Sequence, residues 1–319
     1  MNTLQSSTKM RFVGFIRCQK LTSSILSLLM LALLIPSSTN AQEEEEKKKK
    51  VVCSTTQVAD FARNVVGDRW EVFCVLSSAE DPHTYEVRLT DSELVAEADL
   101  CLQNGWNLEG HGWMEKLAQQ SNKPIRSCVE GVEPLEFDED GKTANDPHAW
   151  LAPANAKIYV DNIVEAVSEI DPDNAEEYQA RAQLYTIQLK ALDNWINRQL
   201  ATLPANQRVL VTHHDAFGYF CKRYDFKAAS PIGWTTGEMS DLGLGQRKAV
   251  VDQIRDLGVK AIFIESTINE EVIQGIAKEA GAKVGGKLYS DAMGETDSAG
   301  ETYLGMMREN VLTIISALR

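Results

Sequence analysis

From Val51 onwards, short apolar runs of strand length alternate with stretches of helical periodicity, and this alternation constrains the fold more than any other feature. The predicted strands of the first half are Val51–Ser54, Val72–Leu76, Ala98–Gln103 and Pro124–Val129. Those of the second half are Val209–Thr212, Phe226–Pro231, Val259–Glu265 and Lys283–Tyr289. Alternating strands and helices are typical of parallel sheets. We therefore predict an α/β protein of two lobes, each a parallel sheet with helices on both faces.

A long helical stretch separates the two sets of strands. Ala154–Ile170 has helical periodicity, Asp171–Asp173 interrupts it at Pro172, and Asn174–Leu200 continues it with few helix breakers. The longer piece would span about 40 Å as a helix, so we predict a long rigid helix that joins the lobes. The predicted organisation is a signal peptide (1–41), a charged tether (42–50), an N-terminal lobe (51–153), a linking helix (154–203) and a C-terminal lobe (204–319).

The first forty residues differ in composition from the rest of the chain. Four basic residues precede the apolar run Ile25–Ile35, and small polar residues follow it. This order is typical of a secretory signal peptide, because the apolar run is too short to cross a bilayer. An uncleaved N-terminal anchor is the alternative. Cys18 precedes the apolar run, the wrong side for a lipid-modified cysteine after cleavage, so we expect a free chain in a periplasmic or other extracytoplasmic space.

The remaining chain is strongly acidic. Without residues 1–41 it has 28 Lys and Arg against 46 Asp and Glu, a net charge of −18. Such a charge disfavours nucleic acid and anionic membrane surfaces as partners and suits cations. We expect neither nucleic-acid binding nor direct membrane insertion. The run of four Glu and four Lys at 43–50 is interpreted as a solvated tether without chemistry.

Five cysteines remain after the predicted cleavage site. Cys53, Cys74, Cys101 and Cys128 each lie in an apolar, strand-like run, and Cys221 is the fifth. We interpret the four as buried thiols that pack as small hydrophobic residues. An oxidising compartment permits one disulfide, for example Cys53 to Cys101 if their strands are neighbours, and the sequence leaves the pairing open.

Two of the five histidines follow the same dipeptide, in Asp81–His83 and again in Asp146–His148. The proline restricts its own backbone and biases the preceding Asp towards an extended conformation, so each histidine is presented from a stiff loop. The Asp can accept a hydrogen bond from the second ring nitrogen of a nearby imidazole, which metal-bound histidines require. The repeated motif therefore indicates two metal ligands.

Two further contexts place possible ligands at the ends of strands. His213 and His214 follow the strand Val209–Thr212, and open α/β sheets bind ligands at the carboxyl ends of their strands. Local sequence alone leaves either histidine as the ligand. Asp291 follows the last predicted strand, where an Asp is more commonly a helix cap or a turn residue, so this signal is weak by itself.

Six segments together give the chain from Val51 to Arg319 a specific resemblance to a known family. They are Asp81–Glu86, Asn104–Leu108, Asp146–Leu151, Val211–Phe220, Phe263–Thr267 and Tyr289–Gly294. With these segments the chain resembles the metal-binding receptors of bacterial zinc/manganese ABC importers, the cluster A-I or TroA-like solute-binding family. The resemblance implies one ion per chain, held by His83, His148, His214 and Asp291.

The same resemblance assigns roles to neighbouring residues. His213 stands where the family usually has a small residue, so it is expected to be a neighbour of the site. Glu265 matches an acid that supports a ligand in the family, and Asp81 and Asp146 are expected to act similarly. His111 is expected to be solvent-exposed. The segment Trp234–Gln246 departs from the family pattern. Its role could be docking to the permease or action as a lid, and the sequence leaves both alternatives open.

Three imidazoles and one carboxylate suit Zn²⁺ in a tetrahedral site, and Mn²⁺ or Fe²⁺ is the alternative. The implied function is an extracytoplasmic receptor, acting as a monomer, that delivers the ion to an ABC-type permease. A secreted metal buffer or adhesin of the same fold stays open. A metallohydrolase is disfavoured, because the sequence has neither His-Glu-x-x-His nor a Gly-rich phosphate loop. Unperturbed imidazoles predict that affinity falls below about pH 6.

Overall fold

The structure is a computed structural model that describes residues 47–78, 80–139, 142–212, 214–229, 244–265 and 270–319. Its strands are β1 (Lys49–Cys53), β2 (Trp70–Cys74), β3 (Leu100–Gln103), β4 (Ile125–Ser127), β5 (Glu136–Glu139), β6 (Lys142–Asn145), β7 (Val209–Val211), β8 (Lys227–Ala229), β9 (Ala261–Glu265) and β10 (Lys283–Leu288). Its helices are α1 (Thr56–Val66), α2 (Leu89–Ala96), α3 (Trp113–Gln120), α4 (Pro153–Ile170), α5 (Ala175–Leu200), α6 (Gly218–Tyr224), α7 (Leu244–Leu257), α8 (Glu270–Ala280) and α9 (Tyr303–Leu318).

The first sheet has four parallel strands in the order β2-β1-β3-β4. Successive residues of a strand point to opposite faces, and β1 shows the consequence. Val51 and Cys53 pack with α1 and α4, whereas Val52 packs with residues of α2 and α3. Helices therefore cover both faces of this sheet, as the sequence predicts.

Strand β1 begins inside the segment predicted as a tether. Lys49 and Lys50 pair with Trp70 and Glu71 of β2, and the Lys50 backbone N–H donates to Asp99 Oδ2 at 2.7 Å. The prediction of a tether through residue 50 is therefore wrong for its last two residues, because their backbone groups bond into the sheet. The predicted signal peptide and residues 42–46 lie outside the described residues.

The five described cysteines are free thiols, and all except the half-buried Cys74 are buried. The suggested disulfide between Cys53 and Cys101 is absent although β1 and β3 are neighbours. Cys101 is in register with Val52, so Cys53 and Cys101 lie on opposite faces of the sheet and pack in different clusters. Adjacent strands alone therefore do not bring these two sulfur atoms together.

The stretch between the lobes forms a helical hairpin. α4 and α5 pack side by side and are joined by a short 3₁₀ turn at Pro172–Asn174. The predicted long helix is α5, whose buried residues recur every three or four positions and face a common side. They are Tyr178, Ala182, Tyr185, Leu189, Leu192, Ile196 and Leu200. α5 packs against α1 and α4 of the first half and against α9 at the carboxyl end.

In the second half, the described strands form two parallel pairs, β7 with β8 and β9 with β10. β7 lies beside β9, and one face of these strands packs with α7 and α8. Residues on the other face include Leu210, Phe263 and Leu288, which belong to the same buried cluster as α1, α4, α5 and α9. Helices therefore cover both sides of this half as well.

The largest buried cluster, which we call the main core, contains residues from both lobes. Val51 and Leu100 of the first sheet belong to it together with Leu210 and Phe263 of the second half. Residues 47–319 accordingly form one compact unit in which a shared layer of helices lies between the two sets of strands. Among the described helices, none combines the length and apolar character needed to cross a bilayer.

Candidate metal centre

Four side chains that are far apart in the sequence converge at one point. His83 lies in the loop between β2 and α2, and His148 precedes a 3₁₀ turn at Ala149–Leu151 that leads into α4. His214 follows β7, and Asp291 follows β10. One nitrogen of each imidazole and a carboxylate oxygen all lie within 4.8 Å of one another. We call these four residues the His/Asp cluster.

The Nε2 atoms of all three imidazoles point towards the middle of the cluster. His148 Nε2 lies 3.2 Å from His83 Nε2 and 3.3 Å from His214 Nε2. Asp291 Oδ1 is 3.3 Å from His148 Nε2 and 3.8 Å from His83 Nε2, and Asp291 Oδ2 is 3.3 Å from His214 Nε2. Donor atoms spaced in this way surround a volume suited to a single small cation.

Solvent exposure differs among the four residues of the cluster. The side chains of His148, His214 and Asp291 are 0% exposed, whereas that of His83 is 8% exposed. The edge formed by His83 is therefore the most accessible part of the cluster.

A carboxylate orients each of the two most buried imidazoles in the same manner. Asp146 Oδ1 accepts the backbone N–H of His148 at 2.9 Å and lies 2.8 Å from its Nδ1. Glu265 Oε1 accepts the backbone N–H of His214 at 3.0 Å, and its Oε2 lies 2.7 Å from His214 Nδ1. Such a contact favours a proton on Nδ1 and directs the Nε2 lone pair towards the cluster centre.

Asp81 occupies the corresponding place in the other Asp-Pro-His motif and makes the same backbone contact. Its Oδ1 accepts the backbone N–H of His83 at 2.9 Å, and its Oδ2 accepts the Thr84 hydroxyl at 3.1 Å. These bonds stabilise the turn that carries His83. The structure thus places Asp146 and Glu265 beside the rings of His148 and His214, and Asp81 beside the backbone of His83.

The His83 loop is also held by the segment that precedes α3. Pro82 O accepts the backbone N–H of Gly110 at 3.2 Å and the indole N–H of Trp113 at 3.0 Å. A Cβ atom at Gly110 would lie 1.9 Å from His83 O, far inside van der Waals contact. Only glycine at position 110 allows this close approach.

The loop of His148 rests on a buried polar network that the sequence analysis did not identify. Asn104 Nδ2 donates to Pro147 O at 3.0 Å, and Asn104 Oδ1 accepts the Tyr159 hydroxyl at 2.7 Å. Glu109 accepts hydrogen bonds from the Asn104 backbone and the Ser54 hydroxyl. Ser54 and Asn104 directly follow apolar strands, which is the signal that could have identified them.

The charges of the cluster stabilise one another. Burial lowers the pKa of His148, but the nearby carboxylates of Asp146 and Asp291 outweigh it and raise this pKa to about 9. His214 behaves similarly: burial opposes its charge, yet Glu265 and Asp291 raise its pKa well above the ordinary value. Burial would raise the pKa values of Asp291 and Glu265, but the imidazoles, above all His214, lower both.

One carboxylate oxygen in the cluster lacks a hydrogen bond. Asp291 Oδ1 is buried and has no hydrogen-bond partner among the described residues, although two imidazole nitrogens lie within 3.8 Å. Buried polar atoms are nearly always satisfied, so such an atom requires an explanation. Nitrogen and carboxylate donors together suit a divalent transition metal. The residues present therefore fit a bound ion.

The remaining predicted positions lie outside the His/Asp cluster. His111 is exposed and has a left-handed backbone conformation with φ +58°. Among the described residues it does not belong to the group of side chains that could hold a metal ion. His213 lies outside the described residues. Most of the segment 234–246 does too, and its last three residues begin α7.

The chain is similar to several known metal-binding proteins. The periplasmic zinc-binding protein TroA from Treponema pallidum superimposes with a TM-score of 0.78 at 30% identity, covering 85% of this chain and 99% of that chain. The manganese-binding lipoprotein MntA from Bacillus subtilis (strain 168) is 36% identical over 273 residues, covering 83% of this chain and 88% of the relative. The iron-binding protein YfeA from Yersinia pestis is 37% identical over 265 residues, covering 81% and 83%.

The fold and these similarities define the class: a metal-binding solute-binding protein of ABC importers, a receptor rather than an enzyme. More narrowly, the model of the family ZnuA, zinc-uptake complex component A periplasmic, matches residues 51–317, and the chain belongs to this family. The resemblance inferred from the six sequence segments is therefore confirmed, as is the α/β fold class.

Proposed function

We propose that this chain binds one divalent transition-metal ion through His83, His148, His214 and Asp291 and delivers it to the permease of a metal ABC importer. The supporting observation is the convergence of four donor atoms within 4.8 Å, three of them on side chains that solvent does not reach. Four protein donors leave no open position for a reacting water in a tetrahedral site. This arrangement suits binding and release.

We infer that Zn²⁺ is the ion bound most tightly. Metal–ligand bonds of about 2.0–2.1 Å place the donors of a tetrahedral site about 3.3–3.4 Å apart. With Asp291 Oδ1 as the carboxylate donor, three of the donor separations in the cluster are 3.2 or 3.3 Å, and the separation from His83 Nε2 to Oδ1 is 3.8 Å. A nitrogen-rich set also binds zinc more tightly than manganese by the intrinsic order of divalent metals.

Manganese and iron are the alternatives for the ion carried in the cell. Relatives of the chain are named as manganese-binding and iron-binding proteins. Both oxygens of Asp291 face imidazole nitrogens, so a carboxylate binding through both would add a fifth donor of the type that Mn²⁺ favours. Availability rather than affinity then decides which ion is loaded.

We propose an extracytoplasmic location with secretion directed by residues 1–41. Relatives are named lipoproteins or periplasmic proteins, which supports this side of the membrane. Residues 36–52 contain no cysteine, so the chain lacks a lipid attachment point just after the predicted cleavage site. We likewise infer that 51–153 and 204–319 act as the two lobes and that the helical segment 154–203 joins them.

Elemental analysis of the purified protein, followed by competition titration of zinc against manganese, tests this proposal. We expect one ion per chain and tighter binding of zinc. Residues that support a metal ligand typically change metal affinity by about 10- to 100-fold when they are replaced. Because His148 and Asp291 are proposed as ligands, we expect His148→Ala and Asp291→Ala each to weaken zinc binding by more than about 100-fold. His111→Ala is the matched control, because its imidazole is exposed. Unchanged binding in both cluster variants would overturn the proposed site.

Delivery requires a separate test in cells. A strain that lacks this protein but keeps the ABC permease is expected to lose high-affinity metal uptake. The wild-type gene should restore uptake, whereas the His148→Ala gene should not. Normal uptake in the deletion strain would contradict delivery and leave metal buffering or adhesion as the function.

A further inference from the structure

Asp291 belongs by sequence to the second half of the chain, but its loop is bonded to the first half. We define the Asp291 loop as residues 289–294. Ser290 O accepts two hydrogen bonds, from Gln57 Nε2 of α1 at 2.9 Å and from Trp150 Nε1 at 3.2 Å. Gln57 and Trp150 are both 1% exposed and Ser290 is fully buried. Water therefore cannot replace either donor.

A third bond fixes the other side of Asp291. The backbone N–H of Met293 donates to the Thr56 hydroxyl oxygen at 2.9 Å. The same hydroxyl donates to Gln57 Oε1 at 3.2 Å, which orients the amide so that its NH₂ group faces Ser290. The residues before and after Asp291 are thus both attached to the first turn of α1.

The start of α9 reinforces this attachment. The Tyr303 hydroxyl donates to Trp150 O at 2.6 Å, and the Tyr303 backbone N–H donates to Asp60 Oδ2 of α1 at 3.2 Å. Asn310 of α9 exchanges two hydrogen bonds with the backbone of Tyr289, at 2.8 and 2.7 Å. α9 therefore holds the Asp291 loop from one side while it is bonded to the first lobe from the other.

His214 has different supports. Its backbone N–H and Nδ1 contact Glu265 of β9, and its carbonyl oxygen accepts the Thr212 hydroxyl at 2.9 Å. Each of these partners lies in the second half of the chain. The cluster thus divides unequally, with His214 carried by the strands of the second half and Asp291 by bonds to the first.

We propose that Gln57, Trp150 and Thr56 are positioning residues that hold Asp291 in a preformed three-ligand half-site with His83 and His148. This proposal rests on the proposed metal-binding function. His214 is then the single ligand that the second lobe adds. By position in the sequence, two of the four residues lie in each lobe, whereas the hydrogen bonds divide them three and one.

Substitutions that remove single donors test this assignment on the full chain. Gln57→Met and Trp150→Phe each remove one donor to Ser290 O; methionine has nearly the length of glutamine, and phenylalanine keeps an aromatic ring at position 150. Because each single variant leaves the other donor in place, we expect a small effect from each and an about 10- to 100-fold weaker zinc affinity from the double variant. Zinc affinity is measured by competition with a chromophoric chelator.

Thr56→Val and Thr56→Ser form a matched pair. Valine has the shape of threonine but cannot accept from Met293, whereas serine keeps the hydroxyl. We expect Thr56→Val to weaken zinc binding about tenfold and Thr56→Ser to bind as wild type. This pair stays informative if the Gln57→Met/Trp150→Phe double variant folds poorly.

The visible spectrum of bound Co²⁺ gives a readout that a purely structural role would not change, because it reports the ligand geometry at the ion. We expect altered Co²⁺ spectra in the double variant and in Thr56→Val, with the wild-type spectrum in Thr56→Ser. Wild-type zinc affinity and Co²⁺ spectra in all variants would overturn the positioning role. If the wild-type protein binds neither zinc nor cobalt, the proposed function itself fails.

Discussion

At the scale of single residues, the two Asp-Pro-His motifs hold their histidines through the same backbone contact. In each motif the Asp Oδ1 atom accepts the backbone N–H of the histidine two residues later, at 2.9 Å. In Asp146–His148 the same oxygen also lies 2.8 Å from the ring Nδ1. The His148 side chain is fully buried, whereas that of His83 is 8% exposed.

The raised pKa of His148 predicts how metal affinity depends on pH. With a pKa of about 9 the ring is protonated in the metal-free protein at neutral pH, and a metal must displace that proton to bind. Affinity should therefore rise steadily from about pH 6 to about pH 9, a higher range than ordinary imidazoles would give. Competition titrations across this range measure it, and a constant affinity would contradict the prediction.

Asp146→Asn is the matched variant for this pH dependence. The amide keeps the shape of the side chain but removes the negative charge that helps to raise the pKa of His148. We expect a flatter affinity profile between about pH 7 and pH 9, together with about tenfold weaker binding at the upper end. If the affinity of the variant depended on pH as that of the wild type does, protonation of His148 would not be the cause of the pH dependence.

Gly110 gives a steric test of the His83 loop. Gly110→Ala should push His83 O away, because the added Cβ would otherwise lie 1.9 Å from it. We expect weaker zinc binding by about tenfold or more, in line with supporting residues of metal sites. Gly112→Ala is the control: its backbone has φ +65°, so alanine is strained there, but its Cβ would meet only Glu115 Oε2 at 3.9 Å.

The control separates loss of stability from loss of the ligand. Both alanine variants should lower the free energy of unfolding of the metal-free protein, since both disturb the same turn. Only Gly110→Ala should lower zinc affinity. Equal affinities in the two variants, measured by the same competition titration, would show that the close approach to His83 does not position this ligand.

At the scale of secondary structure, sequence periodicity predicted the helices and strands whose buried residues recur at regular intervals. The stripe of buried residues on α5 and the apolar runs of β1, β3 and β9 are visible in the sequence because each repeats at the period of its own geometry. The C-terminal helix α9 was not among the predicted elements, although it holds the Asp291 loop.

The contacts that complete the candidate site could not be predicted in this way. Gln57 and Ser290 are 233 positions apart and Trp150 and Ser290 are 140 apart, and their hydrogen bonds depend on how the two halves dock. Strand register could not be predicted from the sequence either: Cys101 pairs with Val52 and not with Cys53. The four residues of the His/Asp cluster were predicted as a set only through the family motifs, since local patterns left His213 and His214 equivalent.

At the scale of the whole molecule, the main core limits how far the lobes can separate. It contains residues of both sets of strands and of the helices between them. Exposing even 500 Å² of such apolar surface would cost about 12 kcal/mol at about 25 cal/mol per Å². This equals the entire stability of a typical domain. Release of a ligand must therefore proceed through local movements.

Small-angle X-ray scattering of the metal-free and metal-loaded protein tests this limit. We expect the same radius of gyration in both states within experimental error, because the shared helical layer stays intact. A compaction on metal addition of the size seen when two domains close by a hinge would contradict it. The His148→Ala protein, measured at the same metal concentration, serves as the control for effects of free metal on scattering.

The ring of carboxylates around the imidazoles has a consequence for the empty receptor. Asp146, Glu265 and Asp291 are buried beside the imidazoles, and these carboxylates raise the pKa values of His148 and His214. A divalent cation that binds to these two rings therefore competes with protons for them. Capture of the ion releases protons, and the return of protons to the rings favours its departure.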